Sequence, residues 1–318
     1  MYKLLANDDT SFINTKFLVS CPSDTNDPKN NSGAVYLFDL ENELIQEVIK
    51  GADFRGMDKT KSHYFISSTD KGIHQFDLNF NLIKTFSIEE SRIANHPSIS
   101  LDIHGFRILD NKYAIIVETA HDRIGIYNLT DFERVDEIKL FEYCQDVFDD
   151  NCVYAEERWG LDQHHINDIC IYKHKLYISM FSLKNGWRKR LYEGIPLDGT
   201  VIEYDFKLKE ITRVLNNDLQ MPHSINFFNG YLHVCNSHDL SVLRESEKLI
   251  QFDGFTRGIN FDGRYFFIGQ SEMRHLEKIM TRKQRVSLDC GIHIYDSVSK
   301  ASRFIQLPEK QVYDILII

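Results

Sequence analysis

Five side chains able to bind anions or move protons, Arg55, His104, Asn167, His223 and Arg257, each stand at the head of a run of alternating apolar residues. Guanidinium groups match carboxylate, sulfate and phosphate with paired hydrogen bonds, and imidazole titrates near neutrality. The shared position suggests one site assembled from segments far apart in the chain. The position that would make a sixth, near Val312 or Tyr313, is not similarly polar. Further candidates lie between such runs: His165 in a His164-His165 pair, Trp187 and Arg188 in a Gly-Trp-Arg segment, and Glu272 and Arg274 after a late strand. Adjacent His164 and His165 would point to opposite faces of a strand, so their spacing is not a metal motif, and metal ligation is not expected. No P-loop, Rossmann glycine fingerprint, GxSxG elbow, HExxH or EF-hand loop occurs, and nothing names a cofactor.

Positioning these residues requires a repeat. Alternating apolar residues ending in an aromatic and then Asp or Asn recur at Ala34–Leu40, Gly72–Leu78, Arg123–Leu129, Thr200–Phe206 and Gly291–Ser297, with a weaker copy at Leu240–Glu245. A second strand precedes each, a shorter one follows, and Asn229-Gly230 and Asp262-Gly263 mark tight hairpins. Four-stranded antiparallel meanders repeating about every 40 residues are the pattern of propeller blades. The expected fold is all-β: a six-bladed β-propeller forming one domain over residues 1–318. The first unit lacks an opening strand, and the C-terminal Val312–Ile317 supplies one, so the last strand should close the first blade. Starts of opening strands and ends of second strands then share one face. That brings the five residues to the channel mouth, together with Glu272, Arg274 and the Trp187 segment.

The chain has 318 residues and a formal net charge of −10, which argues against a nucleic-acid or anionic-membrane partner. Apolar residues make up 42% of it, enough for a large core. No apolar run reaches the length of a membrane span, and the acidic start does not read as a signal peptide. The six cysteines form no CxxC pair and read as buried thiols, so the expected location is the cytoplasm.

Met221-Pro222-His223-Ser224, Gly254-Phe255-Thr256-Arg257-Gly258, Gly186-Trp187-Arg188, Gly269-Gln270-Ser271 with Arg274, and Cys290-Gly291 occur in one order over about residues 160–318. Together they resemble the signature of a bacterial propeller family of unknown function with MPHS, GFTRG, GWR and CG motifs. Where that family continues with Pro-Arg, this chain has Ile225-Asn226, and Arg274-His275 replaces an Arg-Glu pair. The resemblance implies a propeller associated with glycan or natural-product biosynthesis. More distantly, the pattern is similar to gluconolactonase-like and streptogramin-lyase-like propellers.

The resulting expectation is an enzyme of lyase, hydrolase or epimerase type acting on an anionic small molecule or glycan fragment. His223 or His104 would be general acid/base. Arg55, Arg257 and Arg274 would hold the anion, Asn167 would orient the ligand, and Trp187 would cover it, with His165, Arg188 and Glu272 as further contacts. The alternatives are a sugar-binding protein without turnover and a scaffold for a protein partner. For the scaffold, the insertions at Phe141–Gln163 and Glu272–Asp289 would be binding arms.

Overall fold

The computed structural model describes residues 14–23, 33–69, 72–88, 101–141, 162–273 and 286–318. These form six four-stranded antiparallel sheets arranged as a β-propeller. Blade 1 contains β1 (Lys16–Cys21), β2 (Ala34–Asp39), β3 (Leu44–Lys50) and the C-terminal β24 (Asp314–Ile317). Blade 2 follows with β4 (Phe54–Lys59), β5 (Tyr64–Ser68), β6 (Gly72–Phe76) and β7 (Leu82–Phe86), and blade 3 with β8 (Ile103–Leu109), β9 (Tyr113–Glu118), β10 (Arg123–Asn128) and β11 (Arg134–Lys139). Blade 4 comprises β12 (Ile166–Tyr172), β13 (Lys175–Met180), β14 (Gly199–Asp205) and β15 (Glu210–Leu219). Blade 5 comprises β16 (Pro222–Phe228), β17 (Tyr231–Asn236), β18 (Ser241–Arg244) and β19 (Glu247–Gln251). Blade 6 ends the series with β20 (Phe255–Phe261), β21 (Tyr265–Ser271), β22 (Gly291–Asp296) and β23 (Ser302–Gln306).

The expected closure is present: Phe17, Leu18, Val19 and Ser20 pair with Ile317, Leu316, Ile315 and Asp314. Each opening strand (β24, β4, β8, β12, β16, β20) packs against the next, the last against the first, so these strands form a closed inner ring. The core lies in the seams between blades. One apolar cluster fills each seam, such as Phe17, Phe38, Phe267 and Ile292 between blades 6 and 1, or Phe65, Phe106 and Ile116 between blades 2 and 3. Because a blade is covered on both faces, its second strand is almost continuously buried, as in β5 and β9. The outer strands keep the solvent alternation, as in β3.

Polar side chains latch neighbouring blades near the axis. Hydroxyls at the ends of second strands donate to opening-strand carbonyls of the next blade: Ser20 to Arg55 (2.6 Å), Thr119 to Ile166 (2.7 Å), Ser237 to Thr256 (2.5 Å) and Ser271 to Val312 (3.0 Å). Opening-strand side chains accept backbone N–H groups of the following blade: Asp314 from Met57 (3.0 Å), Asp168 from Ile225 (3.0 Å) and Ser224 from Gly258 (2.7 Å). Ser224 is therefore a blade latch.

Cys21, Cys170, Cys235 and Cys290 are buried free thiols, and Cys144 and Cys152 lie outside the described residues. Much of the two insertions read as partner-binding arms also lies outside them. Among the described residues no helix is long and apolar enough to cross a membrane.

Candidate functional site at the channel mouth

The five ring residues occupy one structural position. In blades 2 to 6 the pairing of opening and second strands shifts register where Arg55, His104, Asn167, His223-Ser224 and Arg257 stand. These β-bulges turn side chains that would otherwise follow the strand alternation. The four-residue segments align as Phe54-Arg55-Gly56-Met57, Ile103-His104-Gly105-Phe106, Ile166-Asn167-Asp168-Ile169, Pro222-His223-Ser224-Ile225 and Thr256-Arg257-Gly258-Ile259. In each, the last residue is buried in a seam.

Val312-Tyr313-Asp314-Ile315 is the sixth copy, so the position read as not similarly polar carries a phenol. Tyr313 completes the ring. Its aromatic ring lies 4.5 Å from the Arg257 guanidinium carbon and 5.5 Å from that of Arg55, with the His104 ring edge-on at 5.7 Å. By blade order, Tyr313 stands opposite Asn167, Arg55 opposite His223, and His104 opposite Arg257.

The three imidazoles are held differently. His104 donates from Nδ1 to the Asp102 carbonyl (2.9 Å), and its Nε2 accepts from Arg55 Nη1 (2.9 Å), so its lone pair is occupied. His223 donates from Nδ1 to the Met221 carbonyl (2.9 Å) and Ser237 Oγ (2.8 Å), and its Nε2 has no hydrogen-bond partner among the described residues. His165 donates from Nδ1 to Asp162 Oδ1 (2.8 Å), likewise leaving Nε2 without a partner among those residues. Burial holds all three well below the ordinary histidine range, reinforced by Arg55 at His104, Arg188 at His165 and Arg257 at His223. They are neutral bases at neutral pH.

Around this ring stand side chains two residues earlier in each copy, including Asp53, Asp102, His165 and Gln311. Asp53 binds Arg55 Nε (3.2 Å) and Nη2 (3.1 Å), with Asp102 3.6 Å from the same guanidinium. Gln311 accepts from Arg257 (3.2 Å). Asp102 is the most accessible of these groups, its side chain 33% exposed, and so marks the open edge of the cluster. Asp102, Asp162, His165 and Met221 all have positive φ, between 47° and 54°, a conformation that strains non-glycine residues and concentrates at functional sites.

The opposite wall is apolar. Phe181, Trp187, Met221 and Phe255 pack with Leu191 of a short helix, α1 (Trp187–Tyr192). Trp187 is buried there, its indole N–H donating to the Asp162 carbonyl (2.9 Å), and Arg188 pairs with the Asp162 carboxyl group. The Gly-Trp-Arg segment thus anchors Asp162, and through it His165.

Below the ring lies an ion network that links inner strands of three blades. Arg107 Nη1 lies 3.1 Å from Asp314 and Nη2 3.6 Å from Asp168. Burial pushes Asp168 up to about 6 against the pull of Arg107.

Among the described residues Glu272 makes no hydrogen bond or ion pair with a ring side chain. Glu272 donates its backbone N–H to the Lys310 carbonyl (2.8 Å), and its charge acts on the Cys290 thiol in the blade 6–blade 1 seam. Arg274 lies outside the described residues. His164 stacks on Phe141 at 3.5 Å, away from the axis. Tyr313 was missed because its side chain differs from the other five, although Tyr313-Asp314 repeats the form of Asn167-Asp168. No group of three or more His, Cys, Asp or Glu side chains among the described residues could hold a metal ion.

Residues 151–318, more than half of the chain, match the family model described as Domain of unknown function (DUF4915). The chain belongs to that family. The DUF4915 match contains the segments carrying Asn167, His223, Arg257 and Tyr313, four of the six ring positions. No curated protein sequence matches the chain. Similar solved structures share the propeller fold. One is a chain of the nidogen/laminin complex, at 11% identity and TM-score 0.57, covering 95% of this chain and 98% of that one. Another is a protein of unknown function from Bacteroides caccae, at 12% identity and TM-score 0.56, covering 96% and 99%. A third is a candidate 6-phosphogluconolactonase from Bacteroides fragilis, at 11% identity and TM-score 0.52, covering 98% and 100%.

Proposed function

We propose that this DUF4915 member is an enzyme that binds an anionic small molecule, of sugar-acid type, at the ring and moves a proton on it. The observation that carries this reading is the convergence of Arg55 and Arg257 with neutral imidazoles in one buried cluster. Arg257 binds a carboxylate beside Arg55, whose own guanidinium is held by Asp53, Asp102 and His104, and this places the neighbouring carbon near the imidazoles. His223 and His165 keep Nε2 lone pairs able to take a proton, whereas His104 is committed to Arg55 and positions it. Two bases beside a bound carboxylate suit lyase or epimerase chemistry. Serine hydrolysis fits less well, because Ser224 is taken up by the Gly258 N–H and His223 turns toward Ser237. The apolar wall of Phe181, Trp187, Met221 and Phe255 suits the less polar face of the ligand.

The test is a thermal-shift panel of sugar acids, sugar phosphates and neutral sugars on wild type, Arg257→Met and His223→Ala. An anionic ligand at a hundredfold excess over its Kd should stabilise wild type by about 2.7 kcal/mol. Arg257→Met should abolish the shift, and His223→Ala should keep binding and lose turnover. Equal shifts with neutral and acidic sugars, or turnover unchanged in His223→Ala, would overturn the reading.

A second reading, a scaffold for a protein partner, is supported by blade 2. Leu78, Leu82 and Ile83 are exposed there, near a shallow cleft lined by Lys59, Lys61, Tyr64 and Asn111 at the end of the channel away from the ring.

A further inference from the structure

Two polar side chains of the ring are buried without hydrogen-bond partners among the described residues. The Tyr313 side chain lies in a residue only 4% exposed, with its hydroxyl unsatisfied. Asn167, across the axis, is 1% exposed, and its Nδ2 is likewise unsatisfied. Leaving a buried donor unmade is costly, and in native structures such groups call for a specific explanation. The surroundings of Tyr313 are specific: its ring lies beside two guanidiniums and its backbone is clamped by the Ser20 carbonyl, which accepts the Tyr313 N–H (2.8 Å). Burial raises the phenol above its ordinary range, so at neutral pH the hydroxyl carries its proton and can donate it in a hydrogen bond.

We infer that Tyr313 and Asn167 are ligand-contacting residues: opposed neutral donors to oxygen atoms of the bound anion, between the cationic groups that attract it. This rests on the anion-binding reading above and deepens it. Arg257 supplies charge, which any small anion satisfies, whereas Asp53 and Asp102 already meet that of Arg55. Tyr313 and Asn167 supply fixed donors from opposite blades, which favour a ligand presenting acceptor oxygens on both sides, such as a hydroxylated carboxylate, over a compact inorganic anion.

The assignment separates from a structural role because a hydroxyl without a partner contributes nothing to the unliganded fold. Wild type, Tyr313→Phe, Asn167→Ala and Arg257→Met would be compared by melting temperature without ligand. They would then be titrated calorimetrically with D-glucuronate, citrate and inorganic phosphate, with D-glucose as the neutral control. Tyr313→Phe should melt at or above the wild-type temperature while binding D-glucuronate about tenfold more weakly, the loss of one hydrogen bond to a charged group. Asn167→Ala should weaken the same ligand, and phosphate should respond less to either change. A clear fall in the unliganded melting temperature of Tyr313→Phe would assign the hydroxyl a structural partner and overturn the inference. Wild-type affinity in Tyr313→Phe together with lost binding in Arg257→Met would overturn it while leaving the anion site standing. No binding of any anion to wild type would overturn both.

Discussion

Deleting Val312–Ile318 should unfold the propeller rather than trim it. Val312 and Ile315 are buried in the seam between blades 6 and 1, and losing both side chains costs about 3–6 kcal/mol. Asp314 accepts the Met57 N–H and pairs with Arg107, so its removal leaves a buried cation with one carboxylate fewer, a loss of about 3–5 kcal/mol. Together these approach the whole stability of an ordinary domain, about 5–15 kcal/mol. The deletion also uncovers β1 as a sheet edge at Phe17–Ser20, which invites association. Circular dichroism melting and size-exclusion chromatography read both effects. Ile315→Ala is the graded control, expected to lose about 2–5 kcal/mol and still fold. A truncated, monomeric chain melting within about 2 °C of the full one would refute the argument that the two termini close the ring.

Two further outcomes follow from the buried charges. Burial lowers His121, His233 and His293 to about 4, and His104, His165 and His223 lie well below their ordinary value as well. Unfolded histidines titrate near 6.5, so the unfolded chain binds more protons between that value and about 4. Asp122, raised to about 7, Asp168, raised to about 6, and Asp162, also raised, act in the opposite sense, but six imidazoles outnumber these three carboxyl groups, so stability should fall on balance as pH drops from 6.5 toward 4. Urea midpoints at pH 7.5 and 5 that coincide would contradict it. Arg107→Met leaves Asp168 and Asp314 facing each other without their cation, and it should lower stability by about 3–5 kcal/mol. A melting temperature equal to that of wild type would show that the inner strands are not held by this network.

How much was legible differs by level. Alternation, hairpin glycines and the aromatic-Asp ending recur locally, so the blade strands and their count could be read from one chain. The terminal pairing was legible too, because a blade missing its opening strand and a late segment with the opening-strand pattern complement each other. The convergence of Arg55, His104, Asn167, His223 and Arg257 was also legible, since equivalent repeat positions must surround one axis.

Roles within the ring were not. Whether the second nitrogen of an imidazole is occupied depends on a group one blade away, as with Arg55 on His104 Nε2. Glu272 follows a second strand, one step removed from the axis, and its charge meets the Cys290 thiol instead of the ring. Tyr313 becomes a member only when the opening strands of six blades are superposed, because it differs in residue type from the other five. Periodicity belongs to neighbours along the chain and so survives in the sequence. The partner of a buried polar atom is chosen by packing between segments distant in sequence, from tens of residues for Arg55 and His104 to hundreds for Met57 and Asp314, and only the closed ring decides it.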